Sequence, residues 1–190
     1  MFSLKLWLPA ITVRLAGRPF PGFRPEVLMP LMPFILAEAP REHRLGIRPA
    51  IAQDLPRILE IEHLTFGKQW DYYHFKASLE DIFLVAVDPM SGDIVGFIVA
   101  CCCKVAQRGV ILRIAVHPKY QGRGIATSLI QAVLEKLKKM GLKEVDLDVD
   151  VVKAGAIHLY KKMGFQVVEV FSPEAEEDES FYIMRLKLND

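Results

Sequence analysis

From Gly46 onward, apolar and polar positions recur with regular periods. "GIRPA" is short and extended in character and reads as a first strand. Beyond it Ile58, Leu59, Ile61 and Leu64 fall on helical spacing, with Asp54 at the position of a helix cap and Pro56 in the first turn, so the pattern predicts a helix capped by Asp54. "GKQWDYYHFKASLED" reads as a loop and a second helix. "IFLVAVD" and "DIVGFIVACCC" are apolar, β-branched runs joined by the turn residues "PMSGD", the pattern of two consecutive strands. "GVILRIAV" is apolar almost throughout, which places it at the centre of a sheet covered on both faces. Ile125, Leu129, Ile130, Val133, Leu134, Leu137 and Met140 then form one face of a long helix that ends at Gly141. In "KEVDLDV" the residues Val145, Leu147 and Val149 alternate with charges, as in a strand with one covered face. "AGAIHLYKKMG" is a short helix closed by Gly164, and "FQVVEVF" and "SFYIMRLKL" are two last strands. The order of strand, two helices, three strands, helix, strand, helix and two strands predicts an α/β domain, a mixed sheet with helices on both faces.

Residues 1 to 46 have no such period. They are rich in Pro and apolar side chains, and they read as an arm that packs on the domain of residues 47 to 190 or, in a homodimer, on a second subunit. Pro9 and Arg14 interrupt what a secretory leader would need as a continuous apolar core. No apolar run has the length of a membrane span, so no membrane partner is expected. With 190 residues and a formal net charge of +1, the chain is sized for one cored domain and lacks the gathered cations that nucleic acid requires. The only cysteines, Cys101, Cys102 and Cys103, are consecutive. Neighbours on a strand point to opposite faces, so these three neither staple distant segments nor surround a metal, and no metal site is expected. They read as buried small hydrophobes in a reducing, cytoplasmic setting.

Candidate chemistry lies in "VHPKYQGRGIATSLI", where two glycines flank a cation at the start of the long helix. A helix that follows a central strand presents free N–H groups and the positive end of its dipole, and glycine lets a ligand approach the main chain. The stretch therefore reads as a phosphate cradle, with Arg123 and Lys119 adding positive charge. A plain tight turn, its glycines serving only geometry, is the alternative. The Gly-Lys-Ser/Thr of a Walker loop is absent. Gly122 and Gly124 fit a dinucleotide fingerprint, but Thr127 holds its third glycine position; Asp146, Asp148 and Asp150 on the next strand keep a nucleotide-binding module open.

"QGRGIA" resembles the Gln/Arg-x-x-Gly-x-Gly/Ala motif of the GCN5-related N-acetyltransferase (GNAT) family, and "AIHLYKKMGF" is similar to that family's second motif, a helix that carries a Tyr and ends in Gly-Phe. The resemblance covers roughly residues 46 to 188. It implies a mostly antiparallel seven-stranded sheet, splayed between strands four and five beyond a bulge, and acetyl-coenzyme A as cosubstrate. It further implies that main-chain groups of Ile114, Ala115 and Val116 pair with pantetheine as an added strand would. The motif from Gln121 through Gly122, Arg123, Gly124, Ile125, Ala126 and Thr127 would hold the pyrophosphate. Tyr160 matches the tyrosine that protonates the leaving thiolate, and Val116 N–H would face the oxyanion formed as a neutral amine attacks the thioester. No covalent enzyme intermediate is implied.

For the acceptor, "ILEIEHLTFGKQW" and "FYIM" resemble the branch of that family that acetylates protein N-termini, including ribosomal proteins, which makes Trp70 and Tyr182 candidate peptide contacts. Lysine or small-molecule amines, and an idle acyl-coenzyme A sensor, remain alternatives. The acidic "SPEAEEDES" reads as a solvated turn or as an attractor for a cationic N-terminus. Lys153 stands where the second motif usually has Asn, and is assigned to the coenzyme phosphates. The places where relatives carry a general base read Arg108 or Val110, Lys68 and Asp148, which leaves Asp148 as the candidate base. His74 and His158 read as surface or packing residues.

Overall fold

Seven strands, β1 (Gly46–Pro49), β2 (Ile82–Val87), β3 (Ile94–Cys103), β4 (Arg108–Val116), β5 (Glu144–Asp150), β6 (Gln166–Phe171) and β7 (Phe181–Lys187), pair in the order β1-β2-β3-β4-β5-β7-β6. The structure is a computed structural model that describes residues 45–67, 69–172 and 180–188, all within the unit His43–Asp190. The arm read in residues 1 to 46 falls, up to residue 44, outside the described residues, as do Lys68 and the acidic segment 173–179. Every pairing is antiparallel except β4 with β5, which is parallel. A parallel pair needs a crossover, and α3 (Ile125–Lys139) supplies it.

The other helices are α1 (Leu55–Phe66), α2 (Tyr72–Ala77) and α4 (Ala154–Lys162). Alternation along β2 shows how they share the sheet. Phe83 and Val85 pack with Leu55, Ile58 and Ile61 of α1 and Phe75 of α2, whereas Leu84 and Ala86 join the core formed by α3 and α4. β3 is buried from Ile94 to Ala100 because both helical layers cover it. β4 takes the central place that its apolar run predicts.

Three expectations need correction. Asp54 does not cap α1: its carboxylate accepts from Arg48 at 2.6 and 2.8 Å and from Ile51 N at 2.9 Å, so it closes the short 3-10 turn Ala52–Asp54 instead. Leu64, near the end of α1, and Met140, the residue that follows α3, are exposed and do not join the core. The cysteines are not uniformly buried. Cys101 and Cys102 are half-buried and Cys103 is exposed at the strand's far end, and burial, with the nearby Asp81 carboxylate, holds the Cys101 thiol above its ordinary pKa.

One glycine in β3 sets how closely β4 can approach. A Cβ at Gly96 would stand 2.9 Å from the Ala115 carbonyl oxygen and 3.3 Å from Val116 Cγ2. Gly96→Ala is expected to lower stability by about 1–3 kcal/mol. The measurement is a urea midpoint, which falls at unchanged slope; an unmoved midpoint would show that the two strands have room to spare.

Candidate active site

The pairing of β4 with β5 extends only from Arg108–Glu144 to Ile111–Leu147. Immediately after it β4 has an extra residue: Val99 faces Arg113 while Ala100 faces Ile111, so Leu112 has no opposite number in β3. Beyond that bulge the two strands part. His117 N donates to Val95 O at 2.9 Å, which makes this a hydrogen-bonded pair of the antiparallel ladder. Alternation then directs the main chain of Ala115 to Phe97 and turns the amides and carbonyls of Ile114 and Val116 toward β5, which no longer meets them. Gln121 Nε2 donates to Val116 O at 3.0 Å, so Gln121 closes one of these groups with its side chain. The Ile114 amide and carbonyl and the Val116 amide keep no partner among the described residues. Of the three residues expected to offer main chain on this edge, only Ile114 and Val116 can, because Ala115 is spent on β3.

The turn into α3 lies at the same end of β4. His117 is buried and its Nδ1 accepts from Lys119 N at 3.2 Å, holding the 3-10 turn Pro118–Tyr120. Gly122 and Gly124 have φ of 76° and 79°, in the left-handed region where a Cβ is strained. The first helical bond of α3 runs from Ser128 N to Gly124 O, 3.0 Å. The amides of Gly122, Arg123, Gly124, Ile125, Ala126 and Thr127 have no acceptor among the described residues, and no side chain caps the helix. A row of unpaired donors on a dipole's positive end is suited to receive an anion. Buried Ile125 anchors the turn in the core, whereas the exposed Arg123 guanidinium lies 5.1 Å from the Tyr120 ring. Lys153 is exposed at the residue before α4 and caps nothing.

Tyr160 on α4 packs in the same core as Val116 and Ile125, its ring edge-on to Phe165 at 5.9 Å. It makes no hydrogen bond among the described residues. Yet the only fully buried side-chain polar atom without a partner among them is Arg108 Nε, so the Tyr160 hydroxyl is not sealed from solvent. Burial, and secondarily the Asp148 carboxylate, push its pKa up to about 12. Tyr160 therefore stays protonated throughout the neutral range and is available as a proton donor, not as a base. Asp148 is exposed on β5, pointing away from the core side of Leu147 and Val149. Its neighbours are engaged. Asp146 accepts two bonds from Arg185, at 2.7 and 2.8 Å, and Asp150 Oδ1 accepts from Val152 N at 3.0 Å, so two of the three carboxylates that kept a nucleotide module open already have partners.

Trp70 and Tyr182 are not brought together. Trp70 packs with the α1–α2 cluster, 5.2 Å from the Phe75 ring, whereas Tyr182 lies opposite Val149 and packs on the α3–α4 side of the sheet. His74 and His158 are exposed, and His74 Nδ1 contacts Asp71 Oδ1 at 2.7 Å at the start of α2. The sequence reading missed an ion pair here. Glu62 of α1 is 0% exposed and receives Arg113, the residue that follows the bulge. The signal was present: Glu62 falls on the buried face of α1 beside Ile58 and Ile61, and Arg113 is the one charge inside "VILRIAV".

The model of the Acetyltransferase (GNAT) family matches residues 53–165. An N-alpha-acetyltransferase from Sulfurisphaera tokodaii is 31% identical over 167 residues, covering 80% of this chain and 98% of its own. The ribosomal protein bS18-alanine N-acetyltransferase of Escherichia coli is 27% identical over 139 residues, 72% of this chain and 93% of its own. Among solved structures, Ard1 from Thermoplasma volcanium superposes with a TM-score of 0.70 at 21% identity, over 77% of this chain and 99% of that one. By the span of the family model, and by a relative matched over nearly its whole length, the chain belongs to the GNAT family of acetyltransferases.

Proposed function

We propose that this acetyltransferase moves the acetyl group of acetyl-CoA to the α-amine of a protein N-terminus. The observation that supports the donor side best is the continuous set of unpaired main-chain groups, from Ile114 and Val116 through the amides of Gly122 to Thr127. The first two suit the amide-bearing pantetheine arm and the second its pyrophosphate, with Arg123 and Lys153 as exposed cations at the rim. For the acceptor, the support is that one relative above is named an N-alpha-acetyltransferase and another for an alanine of ribosomal protein bS18.

The residues divide the work as follows. Asp148, open to solvent beside Tyr160, takes the amine proton over one water; a free α-amine has a pKa of about 7.7–8.0, so a weak base suffices. The Val116 amide faces the oxygen on which charge develops. As the new C–N bond forms and the C–S bond breaks, Tyr160 gives its proton to the sulfur and regains one from solvent. Trp70 borders the acceptor entrance from the α1–α2 side. Tyr182, on the other face of the sheet, supports the strand beside Val149. Incubating the pure protein with acetyl-CoA and peptides of varied first residue tests the acceptor: the expected product has its acetyl on the α-amine. Transfer only to lysine side chains or small amines would overturn the assignment.

The phosphate turn predicts that Gly124→Val, at φ 79°, lowers acetyl-CoA affinity by at least tenfold in calorimetry while the thermal melt remains cooperative. Unchanged affinity would remove the turn from the site. Tyr160→Phe is expected to lower kcat by roughly 100-fold or more with acetyl-CoA affinity little changed, the span of one proton transfer. Because the Tyr160 proton is held until about pH 12, the wild-type rate should climb as the α-amine deprotonates and then stay level to pH 10, with no descending limb. A fall between pH 8 and 10 would assign the donated proton to another group.

A further inference from the structure

The buried carboxylate of Glu62 has no part in the chemistry above, and its surroundings show what it does. It accepts from Arg113 Nε at 3.1 Å, from Arg113 Nη2 and from the Trp70 amide at 3.3 Å. The same Arg113 Nη2 also donates to Gln69 Oε1 at 2.9 Å, and the guanidinium lies 3.7 Å from the centroid of the Phe66 ring and 5.8 Å from that of Trp70. A carboxylate taken wholly out of water is tolerated only when its lone pairs are matched, and here three donors match them. Arg113 is a fixed point on β4. It follows the bulge at Leu112 and precedes Ile114, whose main chain is unpaired toward the gap. One ion pair therefore joins the end of α1 and the residues Gln69 and Trp70 to the strand stretch that carries the coenzyme edge.

We propose that Glu62 and Arg113 are positioning residues for the acceptor: the pair holds Phe66, Gln69 and Trp70 against β4 at the height where an incoming amine must pass. The pair touches neither reacting group. Arg113 projects to the α1 side, whereas Tyr160 and the α3 turn lie with the core on the other side. The proposal rests on the reading that an amine enters from the α1–α2 side. Losing the clamp should therefore act on acceptor binding and leave acetyl-CoA binding alone.

Removing one partner strands a buried charge and can unfold the chain, so the informative protein is the double variant Glu62→Met with Arg113→Met, which removes both charges at similar volume. The expected result is a cooperative melt, acetyl-CoA affinity within threefold of wild type, peptide KM raised at least tenfold, and kcat changed less than KM. A second readout does not depend on any acceptor: amide exchange of the peptide containing Trp70, whose N–H loses its acceptor, should accelerate at least tenfold while exchange in α3 is unchanged. Unchanged Trp70 exchange would overturn the clamp. Faster exchange with peptide KM unchanged would overturn its role in acceptor positioning, and parallel loss of acetyl-CoA affinity would reduce the pair to a general structural element. If wild type transfers to no peptide amine, it is the acceptor reading that fails, and the exchange measurement still decides the clamp.

Discussion

The parting of β4 from β5 after Ile111 and Leu147 is the constraint on which everything else depends. Two central strands of a sheet ordinarily satisfy each other's main chain, and leaving such groups unpaired inside a fold is costly. Past the bulge the main chain of Ile114 and Val116 is turned toward a strand that no longer meets it, and in the proposed function these groups serve as the coenzyme edge. The extra residue at Leu112 does this locally. It inverts the side-chain alternation, so that Ile111 and Ile114 both face the α3 layer while Arg113 and Ala115 face α1. A single insertion thus frees the main chain, keeps apolar residues in both cores, and turns one cation toward α1.

The opening joins two sides of the molecule with different chemical character. On one, α3 begins with unpaired amides and α4 carries the largely buried Tyr160, whose proton is held firmly because burial, and secondarily the Asp148 carboxylate, disfavour its anion. On the other, Phe66 of α1 and Trp70, ahead of α2, lie over the guanidinium of a buried ion pair. In the proposed function, donor and acceptor approach from these opposite faces and meet where the sheet is interrupted, as direct transfer between two bound molecules requires.

At the paired end of the same two strands lies a charge network. Arg108 reaches Glu144 at 3.0 Å and Asp146 at 3.5 Å, and Arg185 binds Asp146 and approaches Glu144 at 3.7 Å. Partly exposed pairs of this kind stabilise little individually. Their arrangement across β4, β5 and β7 nevertheless fastens the register below the gap. It also separates Asp146 from Asp148, two carboxylates that look equivalent along an alternating strand.

Local pattern determined much of this protein. Periods of three to four residues marked α1 and α3 and a period of two marked β5, because each of these elements buries one face, while continuous apolar runs between turn residues marked β2, β3 and β4. The glycines at 122 and 124 likewise marked a tight turn open to close approach, and both take the positive φ that their residue type allows. What the sequence alone left open were matters of partnership. Asp54 looked like a cap until Arg48 took its carboxylate, Ala115 looked like a coenzyme contact until the ladder alternation assigned it to Phe97, and only the folded sheet put the two candidate peptide contacts, Trp70 and Tyr182, on opposite faces. Glu62 and Arg113, fifty-one positions apart, could be recognised as a pair only once α1 was laid across β4. Burial and hydrogen bonding between distant residues are set by which surfaces the folded chain brings into contact, and no periodicity along the chain encodes that choice.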